Sequence, residues 1–213
     1  HLQSLTTKRS ALRPLMAREV RRCDWTRNNI LMNQYHDAEW GMPCVSDQKL
    51  FEYVVLDTFQ AGLSWQIIIN KRENFRKAFA NFNPEKIAKF SEQKVQSLLK
   101  NSGIIRNNLK IRGTIANARA YLKIKEEKEF KNFADYIWSF VNHKQIVHKN
   151  KKLSGLASTS AESDAMARDM KARGFKFCGS TVCYAFMQGA GLINDHLTSC
   201  FRYKKCVARK SKF

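Results

Sequence analysis

Two pairs of soft donor residues stand near opposite ends of the chain, Cys23 with His36 and His196 with Cys200. Thiolate sulfur and neutral imidazole nitrogen are the ligands that Zn²⁺ prefers, and two of each fill a tetrahedral site with no position left for an activated water. The second pair, in the run HLTSC, has the i, i+4 spacing that puts both side chains on one face of a helix. The spacing of the first pair is no standard signature, so spacing alone leaves it equally open that Cys23 and Cys200 are ordinary buried thiols. If the four meet, they hold one structural zinc per chain that staples the two ends of a domain.

A second cluster is aromatic. Trp25, Tyr35 and Trp40 flank His36 in sequence, and Trp65 closes the segment QAGLSW, residues 60–65. Such rings stack on nucleobases. Were the metal to draw Tyr35 toward the helix carrying Asp57, the three elements would form an apolar slot with a carboxylate at its wall, which suits a flipped purine. The same rings are equally at home in a helical core. A third candidate is RGFKFCGST, in which Gly174 ends one helix and Gly179 opens the next. Glycines there let backbone N–H groups approach a phosphate, with Arg173 and Lys176 supplying charge; a plain helix–helix corner with glycine caps has the same residues.

The elements that must position these residues are helical. Apolar residues recur at three- and four-residue intervals from Ser46 or Asp47 through Thr58, a second helix starts at Ser64, and Asn83-Pro84 and Ser91 open two more. Further helices are predicted over 106–123, 130–141, 161–172 and 180–190, with the lysine-rich stretch 144–152 as a surface loop. No run alternates at period two, so the expected fold class is all-α.

With 213 residues and 44% hydrophobic content the chain can bury a substantial core. No apolar stretch is long enough to span a bilayer, no apolar signal segment opens the chain, and six irregularly spaced cysteines do not look like a secreted disulfide framework. The expectation is a soluble, cytoplasmic, monomeric protein with no membrane contact and no obligate protein partner. The net charge of +20 asks for a polyanion: residues 1–22 carry +5, residues 201–213 carry +6, and +9 remains for 23–200. Residues 1–22 and 201–213 are therefore read as basic tails on a domain spanning 23–200. A chain opening on His1 is expected to lack its original start, and its Arg-rich beginning would also suit an organelle transit peptide.

Taken together, RCDW, YHDAEWG, QAGLSW, KRENFRKAF, NARAYL, WSFVNH and STSAESDAMARDMKARGFKFCGSTVCYAFMQGAGLINDHLTSC resemble the 3-methyladenine DNA glycosylase I family. The resemblance runs from about Cys23 to Cys200. It implies a helix–hairpin–helix glycosylase fold, a structural zinc on Cys23, His36, His196 and Cys200, and double-stranded alkylated DNA as partner. It places the base pocket on Tyr35, Trp40 and Trp65 with Trp25 nearby, and puts Gly62 and Leu63 at the tip of a loop that fills the gap left by the extruded nucleotide. Gly174, Gly179, Arg173 and Lys176 would hold the DNA backbone.

Two positions depart from the family pattern. Its glutamate before the QAGLSW loop is here Asp57, one methylene shorter but expected to read the adenine amino edge directly or through water. Where the wider superfamily places a catalytic aspartate, this chain has Asn194, with Asp195 displaced by one residue. An N3-alkylated adenine is already cationic and leaves as a neutral base without a general acid, so the chemistry tolerates this. The resemblance thus implies a monofunctional glycosylase that leaves an abasic site; a relative that binds alkylated DNA without excising the base is the alternative.

Overall fold

The computed structural model describes residues 20–27 and 29–207. Expectations for residues 1–19 and 208–213, most of the first basic tail and about half of the second, lie outside the described residues. Among the described residues the chain forms α1 (Ile30–Ala38), α2 (Asp47–Gln60), α3 (Trp65–Ala78), α4 (Pro84–Ile87), α5 (Glu92–Lys100), α6 (Asn108–Glu127), α7 (Phe133–Ser139), α8 (Ala161–Ala172) and α9 (Ser180–Gly189). No helix of the described residues is long and apolar enough to cross a membrane.

Local chemistry sets most of the helix starts. Asn29, Ser46, Asn83, Ser91, Asn107 and Asn132 each accept a hydrogen bond from the backbone N–H three residues on, capping α1, α2, α4, α5, α6 and α7. Ser160 and Ser163 form a reciprocal capping box at α8. The Asp47 carboxylate, in the first turn of α2, also accepts from the N–H groups of Phe133 and Ala134 at 3.3 and 2.8 Å, so one acid serves two helix starts.

Helix α2 is the axis of the molecule. Every residue from Leu50 to Phe59 is buried, Glu52, Asp57 and Thr58 included, which is the signature of a helix surrounded by other elements. It packs against α3, α6, α7 and α9. The helical expectation is met with one addition: Ile146–Val147 (β1) pairs in parallel with Ile193–Asn194 (β2). Two residues per strand are too short to alternate visibly in sequence, and β1 falls inside the stretch read as a lysine-rich loop.

The folded body is also longer than 23–200. Phe201 donates its N–H to the Arg21 carbonyl at 3.0 Å, and Cys206 is fully buried with its thiol toward the Trp40 carbonyl and the Met42 sulfur. Charge counting had assigned these residues to tails because it is blind to which neighbours are apolar.

Three helices converge on one ion network. Glu39, which follows α1, pairs through both oxygens with Arg72 of α3 at 2.7 Å, and the same guanidinium reaches Glu52 of α2 at 2.8 Å. Lys49 adds contacts to Glu39 at 2.9 Å and Glu52 at 3.1 Å. Burial by itself would raise the Glu39 carboxyl, but the Arg72 hydrogen bonds and charge, with Lys49, outweigh it and hold the group at about 2. Removing the guanidinium that pairs with both carboxylates leaves Glu39 with Lys49 alone and Glu52 with Lys49 and half-buried Arg76. We expect Arg72→Met to lower unfolding free energy by about 3 kcal/mol in urea titrations; a loss well under 1 kcal/mol would show the network to be incidental.

Candidate functional site

The four soft donors meet. Cys23, His36, His196 and Cys200 are all buried, and their ligand atoms lie within 4.8 Å of one another. The Cys200 sulfur sits 3.4 Å from His36 Nε2 and 3.5 Å from His196 Nδ1, and the Cys23 sulfur is 3.6 Å from His196 Nδ1. The surroundings prepare each imidazole as a ligand. His36 Nδ1 pairs with Asp37 at 2.8 Å, and Asp37 is gripped by Arg22 at 2.6 to 3.0 Å. His196 Nε2 faces the Trp40 carbonyl at 2.8 Å. A carbonyl or carboxylate oxygen only accepts, so each outer nitrogen carries the proton and the inner one offers a lone pair. Backbone N–H groups of Leu197 and Arg202 donate to the two sulfurs at 3.4 Å. The Cys200 thiol is pulled down by the hydrogen bond from the Cys23 thiol, with the Arg202 N–H also donating to its sulfur, so the pair favours one thiolate even as burial resists it. The donor set therefore fits a metal ion.

One expectation is corrected. His196 and Cys200 do not lie on a helix: the segment is a turn, closed by the Cys200 N–H donating to the Leu197 carbonyl at 2.8 Å. A tight turn brings residues four apart together as a helix does, which is why the spacing predicted the contact but not the element. The approach also requires Gly41, where a Cβ would lie 2.9 Å from the His196 ring.

An aromatic cavity of about 320 Å³ adjoins the cluster. Trp25, Tyr35, Trp40, Asp57 and Trp65 all line it. Trp40 belongs to both features: its ring stands 4.6 Å from the His196 ring and 5.1 Å from Trp25, while its carbonyl holds His196. Tyr35 lies 5.1 Å from Trp65. The remaining wall comes from residues that sequence reading missed, namely Gln60, Leu153, Leu156, Ala185 and Gln188. Leu153 and Leu156 follow the lysine-rich stretch, and their presence at the cavity depends on the β1–β2 pairing. Gly189 was missed as well: a Cβ there would lie 2.9 Å from the Tyr35 hydroxyl, so only glycine leaves that group its place.

The cavity holds unspent polarity. The indole N–H groups of Trp25 and Trp65 are buried and lack partners among the described residues. The Asp57 side chain also makes no hydrogen bond among those residues, and burial raises its carboxyl well above the usual aspartate range. Burial, together with the Asp57 charge, lifts the Tyr35 phenol out of reach of ionisation. Unpaired polar groups on a buried surface are costly to keep and mark a place that a ligand completes.

The whole described body matches known proteins. The model of the family described as methyladenine glycosylase covers residues 25–203. The chain belongs to the methyladenine glycosylase family. It is 45% identical to DNA-3-methyladenine glycosylase 1 of Escherichia coli K12 over 184 residues, 86% of this chain and 97% of that protein. A crystal structure of 3-methyladenine DNA glycosylase I aligns with a TM-score of 0.82 at 46% identity, covering 85% of this chain and 98% of the other. A variant of 3-methyladenine DNA glycosylase I in complex with 3-methyladenine aligns with a TM-score of 0.82 at 30% identity, covering 85% and 97% of the two chains.

In this glycosylase-family chain the loop after α2 is held from below. Lys110 of α6 donates to the carbonyls of Phe59 and Ala61, capping the C-terminal end of α2, and Gly62 stands open at the tip beside half-buried Leu63. The turn 173–179 between α8 and α9 is pinned by Asn117, whose side chain accepts from the Lys176 N–H at 2.6 Å and donates to its carbonyl at 3.2 Å. Gly174, Lys176 and Gly179 are exposed. Arg173 is not a free cation: it is tied to Asp169, Glu127 and Glu129 at 2.7 to 3.0 Å and lies over Phe130 and Tyr136. Asn194 and Asp195 are buried and fully engaged, so neither is poised as a catalytic base.

Two outcomes follow for the site. Elemental analysis should find about one metal ion per chain in the parent and none in Cys200→Ala, whose thermal midpoint should also fall; a variant that keeps the parent's metal and midpoint would rule out the four-ligand cluster. Asp57→Asn should melt higher than the parent at neutral pH. The Asp57 carboxyl titrates above its unfolded value, so its contribution is most favourable below the unfolded pKa and is lost as pH rises through the folded one. Thermal scans across pH should show the gap closing near about pH 4; a variant less stable than the parent at neutral pH would contradict this account of Asp57.

Proposed function

We propose that this chain is a monofunctional DNA glycosylase that excises 3-methyladenine from alkylated double-stranded DNA and leaves an abasic site. The observation that carries the reading is an unpaired, desolvated carboxylate set among aromatic rings in a cavity large enough for a purine. Such a site rewards a flat cation. Adenine alkylated at N3 is one, and the rings and Asp57 together favour it over the neutral base. Relatives named for the same activity, and a related structure holding 3-methyladenine, support the assignment.

The reaction asks little more of the protein. The base is extruded into the cavity, where Trp65 and Trp40 stack on or wall it and Asp57 and Tyr35 read its edge. The bond from the sugar to N9 breaks with its electron pair moving to the base, which leaves neutral while the sugar becomes oxocarbenium-like. Water then adds to the sugar and loses a proton. Neither a general acid nor a lysine nucleophile is required, in keeping with the engaged state of Asn194 and Asp195. Unmodified adenine lacks the positive charge and is a far poorer leaving group.

The metal in this reading is Zn²⁺, held by Cys23, His36, His196 and Cys200. Four protein donors close the site, so it serves the fold and takes no part in hydrolysis. DNA is held by the exposed turn with Gly174, Lys176 and Gly179, read as a helix–hairpin–helix, while Gly62 and Leu63 enter the space the base vacates. Arg173 acts there through its ion pairs, as a brace for the turn.

Release of free 3-methyladenine from methylated duplex DNA tests the proposal. The parent should release it, and Asp57→Asn should lose at least about tenfold in kcat/KM, the scale of one charge-assisted hydrogen bond. The parent's acidic limb should sit above the ordinary aspartate range and vanish in the variant. A parent that binds alkylated DNA with its metal in place but releases nothing would favour recognition without excision.

A further inference from the structure

We infer that Gln188 is a second reader of the extruded base and that Asp195 is the positioning residue that aims it; the inference rests on the excision reading above. Asp195 is buried with both oxygens in use. Its Oδ1 pairs with His148 Nδ1 at 2.7 Å and accepts from Asn150 Nδ2 at 3.0 Å. Its Oδ2 accepts from the Tyr184 hydroxyl at 2.8 Å and from Gln188 Nε2 at 2.7 Å.

A carboxylate has no proton to give, so the nitrogen end of the Gln188 amide must face Asp195. The oxygen end then cannot. Oε1 makes no hydrogen bond among the described residues, and Gln188 lines the aromatic cavity. The backbone is fixed too, since Gly41 donates its N–H to the Gln188 carbonyl at 3.0 Å. The cavity is thus offered a neutral acceptor whose orientation is locked: turning the amide over would set its oxygen against the carboxylate and leave a buried pair of acceptors without a proton between them.

A locked acceptor selects by chemistry. Adenine carries a donor, the exocyclic amino group, where guanine carries a carbonyl oxygen. An acceptor held at that edge stabilises the first and repels the second, and sites built on such a match discriminate far better than apolar walls do. Asp57 supplies the charge recognition that both N3-methylated purines satisfy along with one acceptor at the edge, and Gln188 adds a second, neutral acceptor that sharpens the distinction between them. Asp195 also anchors the wall that carries Leu153 and Leu156. His148 and Asn150 stand just ahead of Leu153 and Leu156, and the Thr198 N–H donates to the Asn150 carbonyl at 2.8 Å. One carboxylate beside the metal ligand His196 therefore sets two walls of the cavity.

The experiment measures release of 3-methyladenine and 3-methylguanine from the same methylated duplex by the parent, Gln188→Met and Asp195→Asn, with metal content, thermal midpoint and quenching of tryptophan fluorescence by free 3-methyladenine. Gln188→Met keeps the volume and removes the acceptor. It should lower kcat/KM for 3-methyladenine by about tenfold and leave 3-methylguanine release unchanged or raised. Asp195→Asn lets the glutamine amide turn over, and should erode the same preference while metal is retained. Parental preference in Gln188→Met, or an equal loss for both bases, would overturn the reader role. Unchanged preference in a folded, metallated Asp195→Asn would overturn the positioning role, and should that variant not fold, Gln188→Met decides alone. A parent that binds the free base yet releases none from DNA would sink the excision reading only; weaker binding by Gln188→Met would then still support the reader.

Discussion

The structure depends on bringing together four ligands from two segments more than 150 residues apart in the chain. The zinc proposed for this cluster would contribute on the order of 10 kcal/mol on binding, comparable to the whole stability of a domain this size. The cluster does more than join the two segments. The outer nitrogen of His196 is held by the Trp40 carbonyl, and the Trp40 ring is a wall of the cavity. The donor cluster and the cavity therefore share a residue, so the packing that gathers one also shapes the other.

The pocket has a second foundation in the ion network. Tyr35 lies on α1, Asp57 on α2 and Trp65 on α3, and the same three helices are locked by Glu39, Glu52 and Arg72. That network is satisfied; Asp57, five residues on from Glu52 in the same helix, is not. Glu39, paired with Arg72 and Lys49, is held in its ionised form, whereas Asp57 at the cavity has no partner among the described residues and burial raises its carboxyl.

The chain's charge is consistent with this division. A net +20 favours contact with a polyanion, yet the cations nearest the site are largely committed to structure. Arg22 steadies a metal ligand through Asp37, Lys110 caps α2, and Arg173 braces the turn between α8 and α9. Exposed lysines such as Lys176 carry no such commitment among the described residues, and the proposed function assigns them to the backbone of a nucleic acid. Counting basic residues identifies the class of partner but not the residues that meet it.

Much of the fold was legible from the chain because its signals are local. Caps such as Ser46, Asn83 and Ser91, apolar spacing along α2 and the proline at Pro84 act over a few residues, and they announced those helices within a few positions, whereas α1 behind Asn29 was not read from the sequence. The metal ligands were legible as residue types, and motif resemblance assigned them together with Tyr35, Trp40, Asp57 and Trp65. What the tertiary structure decided was everything that depends on contact between distant segments. The turn that carries His196 and Cys200, the two-residue strands, and the burial of Cys206 follow from neighbours far away in the chain. So do the places of Gln188, Leu153, Leu156 and Gly189 around the cavity. Types and spacings specify what a residue is able to do; only packing determines which polar atoms are already satisfied and which remain free to meet a base.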